Sequence, residues 1–147
     1  MNTDTLQHPI ALVVDDHDLV RRALCERIQA SFAQFRFREA GTVDEALRIV
    51  ETERVDIVLM DFRLPGTDGV DGTRMVLERS PDTPVVMVSG LDDFSHRSAA
   101  SKAGVRAFVS KRAIGRDLSP AIMRLVNCGG AAARAQPEAS LGVAHSA

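Results

Sequence analysis

Two neighbouring aspartates follow the first apolar run of the chain, and a third aspartate follows a later one. Asp15 and Asp16 come directly after Ile10–Val14, and Asp61 comes directly after Val55–Met60. Because the carboxyl ends of parallel strands meet at one edge of a sheet, we expect the three carboxylates to share a crevice. Carboxylates without a counter-charge repel one another, so the cluster requires a hard divalent cation with oxygen ligands. The spacing therefore predicts a metal-dependent acidic site.

Two further polar side chains follow later apolar runs. Ser89 comes directly after Pro84–Val88, and Lys111 comes two residues after Arg106–Val109. A carboxylate beside a bound cation can attack an electrophilic phosphorus, which at Asp61 would give an aspartyl-phosphate. A hydroxyl and an ammonium group at the same edge of the sheet would donate hydrogen bonds to the phosphoryl oxygens. Together these residues predict a metal-assisted phosphoryl site.

Some residues in the loops around the aspartates have an ordinary structural role. We interpret Asp18 as the N-cap of the first helix. The pairs Pro65–Gly66 and Asp68–Gly69 supply turn residues, which leaves Asp61 free to face the crevice. A nucleotide- or flavin-binding loop would normally place Gly, Ser or Thr after the first strand, where this chain has aspartates.

Short apolar runs alternate with helical patterns along the chain, as in βαβ units with a parallel sheet. The predicted strands are Ile10–Val14, Phe35–Glu39, Val55–Met60, Pro84–Val88 and Arg106–Val109. The second run alternates apolar and charged residues, so it is predicted to be an edge strand with one face in water. The alternation predicts an α/β sandwich.

Five segments carry apolar residues at helical spacing. They are Val20–Ile28, Val43–Val50, Val70–Arg79, Asp93–Ala103 and Leu118–Leu125. Thr42 and Glu45 form a capping box before the second helix, and Gly104 is expected to end the fourth. Ser119–Pro120 is predicted to begin the fifth helix, and Gly129–Gly130 to end it.

Composition limits the class of protein. The chain has 147 residues, 45% of them apolar, and a net charge of −2, which is typical of one soluble domain without a general attraction for nucleic acid or membrane. The first nine residues lack the features of a signal peptide, and no apolar run has membrane-spanning length. Cys25 and Cys128 are predicted to be reduced thiols, so we expect a cytoplasmic protein.

Four segments together match a known family. They are Val13–His17, Asp61–Gly69, Val85–Gly90 and Lys102–Lys111. The chain resembles the receiver domain of two-component response regulators, most closely the receivers that usually carry a LuxR-type DNA-binding domain. The resemblance implies a doubly wound, five-stranded parallel sheet of the flavodoxin- and CheY-like (βα)5 kind.

The same resemblance implies a phosphoacceptor and a metal site. Asp61 would accept a phosphoryl group from the phosphohistidine of a sensor histidine kinase or phosphotransfer protein. Asp16 and Asp61 would ligate Mg²⁺ directly, together with the backbone carbonyl of Arg63, and Asp15 would act largely through water.

The resemblance also implies a route for signal output. Lys111 would pair with the phosphoryl group, Ser89 would reach a phosphoryl oxygen, and Phe108 would turn inward as the aromatic switch residue. The chain departs from many receivers at Arg112, where they have proline. Arg63 and Leu91 occupy the positions that tune the lifetime of the phosphoryl group in this family.

Two other functions remain open at this stage. A haloacid-dehalogenase-like phosphohydrolase also uses an aspartate nucleophile and Mg²⁺, but it needs a second aspartate where this chain has Arg63. A phosphorylation-independent interaction module of the same fold is the other alternative.

The predicted domains are an N-terminal arm at 1–9, a receiver domain at 10–128 and a flexible tail at 129–147. No helix-turn-helix pattern with a basic recognition helix follows Gly130, so we expect no direct binding of nucleic acid by this chain. The sequence does not decide between a stand-alone receiver and one cut from a longer regulator, and it leaves a homodimer open.

Overall fold

The structure is a computed structural model that describes residues 8–90 and 94–129. Residues 130–147 of the predicted flexible tail, most of the predicted N-terminal arm and Leu91 lie outside the described residues. Within the described ranges, no helix has both the length and the apolar character needed to cross a membrane.

Strands and helices alternate throughout the described chain, as the sequence predicts. The strands are β1 (Ile10–Val14), β2 (Arg36–Ala40), β3 (Ile57–Asp61), β4 (Val85–Ser89) and β5 (Ala107–Ser110). The helices are α1 (Asp18–Ser31), α2 (Val43–Thr52), α3 (Gly69–Arg79), α4 (Phe94–Ala103) and α5 (Ile114–Gly129).

The five strands form one parallel sheet in the order β2-β1-β3-β4-β5. This is the doubly wound order, and the predicted fold class is confirmed. The predicted edge position of the second strand is also confirmed, since β2 pairs only with β1. The order in which the chain adds strands to the sheet reverses between β1 and β3, and a crevice lies at the carboxyl ends of these two strands.

Two apolar layers cover the sheet, one on each face. On one face α2, α3 and α4 pack against Leu12, Met60 and Met87. On the other face α1 and α5 pack against Val13 and Leu59. Burial on both faces explains why the central strands are almost entirely apolar.

The last four strands begin one or two residues later than predicted and end one residue later. Phe35 and Val55 are buried but precede the ladders, because burial of an apolar side chain does not require strand pairing. As a consequence, Asp61 and Ser89 are the last residues of β3 and β4 rather than the first loop residues.

Two predicted helix ends are confirmed. Thr42 Oγ1 accepts a hydrogen bond from the Glu45 N–H at 3.2 Å, while Glu45 Oε1 accepts from the Gly41 N–H at 2.7 Å. The returning bond of the capping box therefore reaches one residue further back than usual. Gly104 follows α4 with a φ of 111°, the left-handed conformation that favours glycine.

Two predicted helix starts are wrong. A 3₁₀ turn at Lys111–Ala113 leads directly into α5, and Pro120 lies inside that helix instead of beginning it. Pro120 is exposed, whereas Leu118 is fully buried, so core packing upstream outweighs the hydrogen bond that proline removes.

Asp18 does not cap α1. His17 holds the N-cap position without a side-chain cap bond, and Asp18 is the first helical residue. The Asp18 carboxylate instead accepts from Arg21 Nη2 at 2.8 Å, because residues three apart on a helix face one another.

Cys25 is a free, half-buried thiol on α1, as predicted. Burial, aided by the charge of Glu39, raises the pKa of its thiol to about 11. The thiolate that would be reactive is therefore disfavoured at neutral pH. The side chain of Cys128 lies outside the described residues.

Candidate functional site

The carboxyl edge of the sheet gathers charged side chains from three strands. Val14 of β1 is level with Met60 of β3, so the next residues, Asp15 and Asp61, lie at the same height in the sheet. Lys111 comes directly after β5, at the far edge of the sheet, and its long side chain reaches back across β4. The topology thus brings the predicted residues to one crevice.

The Lys111 ammonium group bridges two buried carboxylates. Its Nζ lies 3.2 Å from Asp15 Oδ2 and 3.3 Å from Asp61 Oδ1. Asp15 is 1% exposed and Asp61 is 5% exposed, whereas Lys111 is half-buried. Pairing at this burial is electrostatically strong because little water screens it.

Asp16 and His17 form the exposed side of the same cluster. His17 Nδ1 lies 3.2 Å from Asp16 Oδ1 and 3.4 Å from Asp15 Oδ1. One ligand atom from each of Asp15, Asp16, His17 and Asp61 falls within 4.8 Å of the others. Three of these four residues offer carboxylate oxygens, the donors that Mg²⁺ and Ca²⁺ prefer, so the donor set fits a hard cation.

The charges in the crevice are unbalanced. Burial raises the pKa of Asp61, the Asp15 charge raises it further, and Lys111 only partly opposes these effects. Burial by itself would lower the pKa of Lys111, but Asp61 and Asp15 raise it overall. One ammonium group therefore faces three carboxylates, and an added cation would relieve the excess negative charge.

Gly69 fixes the backbone beneath Asp61. A Cβ at this position would overlap the carbonyl oxygen of Asp61, so only glycine allows α3 to start so close to β3. The Gly69 N–H donates to the Phe62 carbonyl at 2.8 Å, and Asp68 Oδ1 caps α3 by accepting from the Asp71 N–H at 2.9 Å. The loop thereby holds Asp61 without using its side chain.

Sequence reasoning missed two residues that orient Asp15. The His17 N–H donates to Asp15 Oδ1 at 2.8 Å, and Arg21 Nη1 donates to the Asp15 carbonyl oxygen at 2.7 Å. The first contact is an Asx turn, which the spacing of Asp15 and His17 could have indicated. The second depends on the path of an arginine side chain, for which the sequence carries no signal.

A family model for the response regulator receiver domain matches residues 11–123 of this chain. The chain belongs to that family. The resemblance proposed from its four motifs is therefore confirmed.

Curated relatives of this receiver domain include transcriptional regulators. The transcriptional activator protein ExaE of Pseudomonas putida is 34% identical over 115 residues, which are 78% of this chain and 54% of ExaE. The chain thus spans about half the length of the curated relatives it matches.

Solved receiver structures share the fold. A two-component response regulator of the LuxR family from Aurantimonas superposes with a TM-score of 0.75 at 26% identity, covering 82% of this chain and 86% of that one. A receiver domain protein from Methanospirillum hungatei superposes with a TM-score of 0.76 at 23% identity, covering 83% and 96%.

The structure places the other predicted residues of the receiver at or near this edge. Ser89 is buried at the end of β4, level with Ser110 of β5. Arg63 is exposed in the loop after β3. The half-buried Phe108 ring lies beneath the Arg97 guanidinium, with Cζ 4.7 Å from the ring centroid. Of the predicted set, Asp15, Asp16, Asp61 and Lys111 are brought into one cluster.

The departure from other receivers at Arg112 has a visible local consequence. The Arg112 N–H donates to Ser110 Oγ at 3.2 Å, and this bond caps the 3₁₀ turn after β5. A proline at 112 could not donate it. Ser110 therefore shapes the turn that carries Lys111.

Proposed function

We propose that Asp61 of this receiver domain accepts a phosphoryl group from the phosphohistidine of a sensor histidine kinase or phosphotransfer protein. The observation that supports this role best is the double ion pair of Lys111 with Asp15 and Asp61 in a buried, acid-rich crevice. The chain would act as a switch in a two-component system, and its output would depend on whether Asp61 carries the phosphoryl group.

The acidic cluster is proposed to hold Mg²⁺. Asp16 and Asp61 would ligate the ion directly with the backbone carbonyl of Arg63, and Asp15 would contact it through water. Carboxylate and carbonyl oxygens are hard donors, and the carboxylates already lie close enough to share one ion. When bound, Mg²⁺ supplies a positive charge that stabilises the transferring phosphoryl oxygens.

Transfer to Asp61 would be a direct displacement at phosphorus. One Asp61 carboxylate oxygen forms the new bond to phosphorus while the bond from phosphorus to the donor nitrogen breaks. The electron pair of the broken bond stays on the donor imidazole. Lys111 Nζ would pair with a phosphoryl oxygen, a role supported by its distance of 3.3 Å from Asp61 Oδ1.

Output is proposed to follow from Ser89 and Phe108. Ser89 would approach a phosphoryl oxygen, and Phe108 would then turn inward from beneath Arg97. Phe108 already packs against the core cluster of the α2–α4 face, so a change in its rotamer would alter the packing of α4 and β5.

Phosphoryl uptake from a small donor tests the acceptor directly. The wild-type chain is incubated with acetyl phosphate in the presence of Mg²⁺ or of a chelator, and intact mass is recorded. We expect the mass of one phosphoryl group to be added only with Mg²⁺, and Asp61→Asn to add none. Asp44→Asn, an exposed change in α2, is the matched control and should behave as wild type.

Three outcomes would contradict the proposal. Uptake by Asp61→Asn at the wild-type level would place the acceptor elsewhere. Continuous hydrolysis of a generic phosphate ester would support the phosphohydrolase alternative instead, although an exposed arginine at 63 cannot serve as its general acid. No uptake by the wild-type chain would favour the phosphorylation-independent module.

A further inference from the structure

Arg21 connects the loop that carries Asp15 and Asp16 to the elements on either side of it. Its Nη1 donates to the Asp15 carbonyl oxygen at 2.7 Å. Its Nε donates to Glu39 Oε1 in β2, and its Nη2 donates to Asp18 Oδ1 at the start of α1, both at 2.8 Å. The Arg21 side chain is only 17% exposed, so its guanidinium group lies mostly out of water. One side chain therefore joins β2, the loop and α1.

The backbone of Asp15 is held at both ends. Its N–H donates to the Ala40 carbonyl oxygen at 3.0 Å, and its own carbonyl oxygen accepts from Arg21. That oxygen belongs to the planar peptide group that joins Asp15 to Asp16, so holding it limits rotation of the chain between the two aspartates. Asp15 is buried, whereas the Asp16 side chain is 35% exposed. The direction of the Asp16 side chain therefore depends more on this peptide group than on packing.

Arg21 holds the peptide group without acting as the counter-charge of the acidic cluster. Its guanidinium charge is paired with Glu39 and Asp18, whereas its contact with Asp15 is to a neutral backbone carbonyl. The Asp15 carboxylate pairs with Lys111 instead. Loss of Arg21 would therefore change the geometry of the loop more than the charge balance of the crevice.

A guanidinium group is well suited to such a connection. Its donors lie in one rigid plane, so it can hold three acceptors in fixed relative positions. The ammonium group of lysine carries the same charge on a flexible stem and imposes no such plane. The arrangement around Arg21 depends on the shape of arginine as well as on its charge.

We propose that Arg21 is a positioning residue for Mg²⁺ in the acidic cluster. It fixes the peptide group after Asp15 and thereby keeps an Asp16 carboxylate oxygen within 4.8 Å of one from Asp61. Removal of a residue that orients metal ligands lowers metal affinity by about 10–100-fold in other proteins. This role rests on the proposed Mg²⁺ site, and it adds to that site a residue that does not touch the ion.

A purely structural role is the alternative, since Arg21 also joins α1 to β2. A structural link would contribute only to the free energy of unfolding. A positioning residue also sets the dissociation constant of Mg²⁺ in chains that are fully folded. Urea denaturation measures the first quantity, and a Mg²⁺ titration measures the second.

A Mg²⁺ titration of the full, unphosphorylated chain tests the proposal, with binding followed by amide signals in NMR spectra. We expect Arg21→Gln to raise the dissociation constant of Mg²⁺ about ten-fold or more. Arg22→Gln is the matched control, because it removes the same charge from the next residue of α1, which is exposed. It should keep the dissociation constant within about two-fold of wild type.

The amide signal of His17 reports on the loop before any metal is added. The His17 N–H donates to Asp15 Oδ1 at 2.8 Å, so its chemical shift depends on the orientation of Asp15. Arg21→Gln should move this signal in the absence of Mg²⁺, and Arg22→Gln should leave it nearly unchanged. A uniform loss of stability would not produce such a local change.

Arg21→Lys separates the shape of the side chain from its charge. It keeps the positive charge but not the planar fork, so its dissociation constant for Mg²⁺ should stay at least about three-fold above that of wild type. If Arg21→Gln does not fold, Arg21→Lys decides the result, because it retains the charge that pairs with Glu39 and Asp18.

Two results would overturn the role of Arg21 and leave the proposed metal site intact. Arg21→Gln could bind Mg²⁺ as tightly as wild type while its free energy of unfolding falls, which would assign Arg21 to the fold alone. Arg21→Lys could also bind Mg²⁺ as tightly as wild type. If the wild-type chain itself fails to bind Mg²⁺, the metal site is removed and the role of Arg21 with it, so the two failures are distinguishable.

Discussion

Asp61 and Glu53 lie near opposite ends of the same sheet, and their pKa values are shifted in opposite directions. Glu53 accepts hydrogen bonds from Arg38 Nε at 2.8 and 3.0 Å, and the two side chains are each about one third exposed. The bond from Arg38 holds the pKa of Glu53 below its ordinary range. Asp61 is almost fully buried, and burial with the Asp15 charge raises its pKa although Lys111 is 3.3 Å away.

The difference separates an ordinary ion pair, in which the charges balance, from a cluster that can bind a further ion. At Glu53 one acid meets one base in water, so both charges are satisfied and nothing further is needed. At Asp61 three carboxylates lie in one cluster and Lys111 pairs with two of them, so the folded chain has a charge excess that a cation or a chemical change can relieve. Four predictions sharpen this comparison.

The largest expected effect is on phosphoryl uptake. Asp16→Asn should slow uptake from acetyl phosphate by about 10²-fold or more, because it removes a proposed Mg²⁺ ligand. Glu53→Gln should leave the rate unchanged, since its pair is far from the crevice. The rate is followed by intact mass against time, and equal rates for the two variants would remove Asp16 from the site.

The next effect is on stability without metal. Lys111→Ala should lower the free energy of unfolding by about 1–3 kcal/mol at neutral pH in a chelator, because two buried carboxylates lose their counter-charge. Arg38→Gln should cost less than about 1 kcal/mol, because its partner is partly exposed. Urea denaturation measures both, and a larger cost for Arg38→Gln would reverse the comparison.

Mg²⁺ itself should stabilise the wild-type chain. At ten times its dissociation constant a ligand of the folded state adds about 1.4 kcal/mol, or roughly 3–6 °C in the thermal midpoint of a domain this size. Glu53→Gln should keep this shift, and Asp61→Asn should reduce it. An undiminished shift in Asp61→Asn would mean that the ion binds elsewhere.

The smallest effect is a contrast in pH dependence without metal. The raised pKa of Asp61 means that the folded state binds the proton more tightly, so its ionisation removes stability as pH rises from the ordinary carboxyl range through the raised value. The stability advantage of Asp61→Asn over wild type should therefore grow across that window and then level off.

Glu53 should show the opposite sign. Its lowered pKa gives stability that is present above the ordinary carboxyl range and is lost as pH falls through the lowered value. The deficit of Glu53→Gln should therefore shrink on acidification. Denaturation midpoints measured across the acidic range check both slopes, and slopes of the same sign would contradict the electrostatic contrast.

The sequence was sufficient for much of the site. Parallel strands must present their carboxyl ends at one edge, so Asp15, Asp61 and Lys111 could be placed together from their positions after apolar runs alone. The charged, alternating pattern of β2 likewise identified an edge strand, because a strand covered on both faces cannot carry it. Periodicity and chain order carry such information without any long-range contact.

Other features were decided by tertiary packing. The start of α5 was missed because burial of Leu118 overrides the local signal of Pro120. The support that Arg21 gives to Asp15 depends on where a long side chain runs.

The chain's own residues thus determined the order of its elements, its class of fold and the chemistry of its acidic crevice, because each follows from local pattern and parallel topology. Only the tertiary structure decided how one ammonium group is shared between two buried carboxylates. This arrangement depends on side-chain directions and burial, which arise when distant segments pack together.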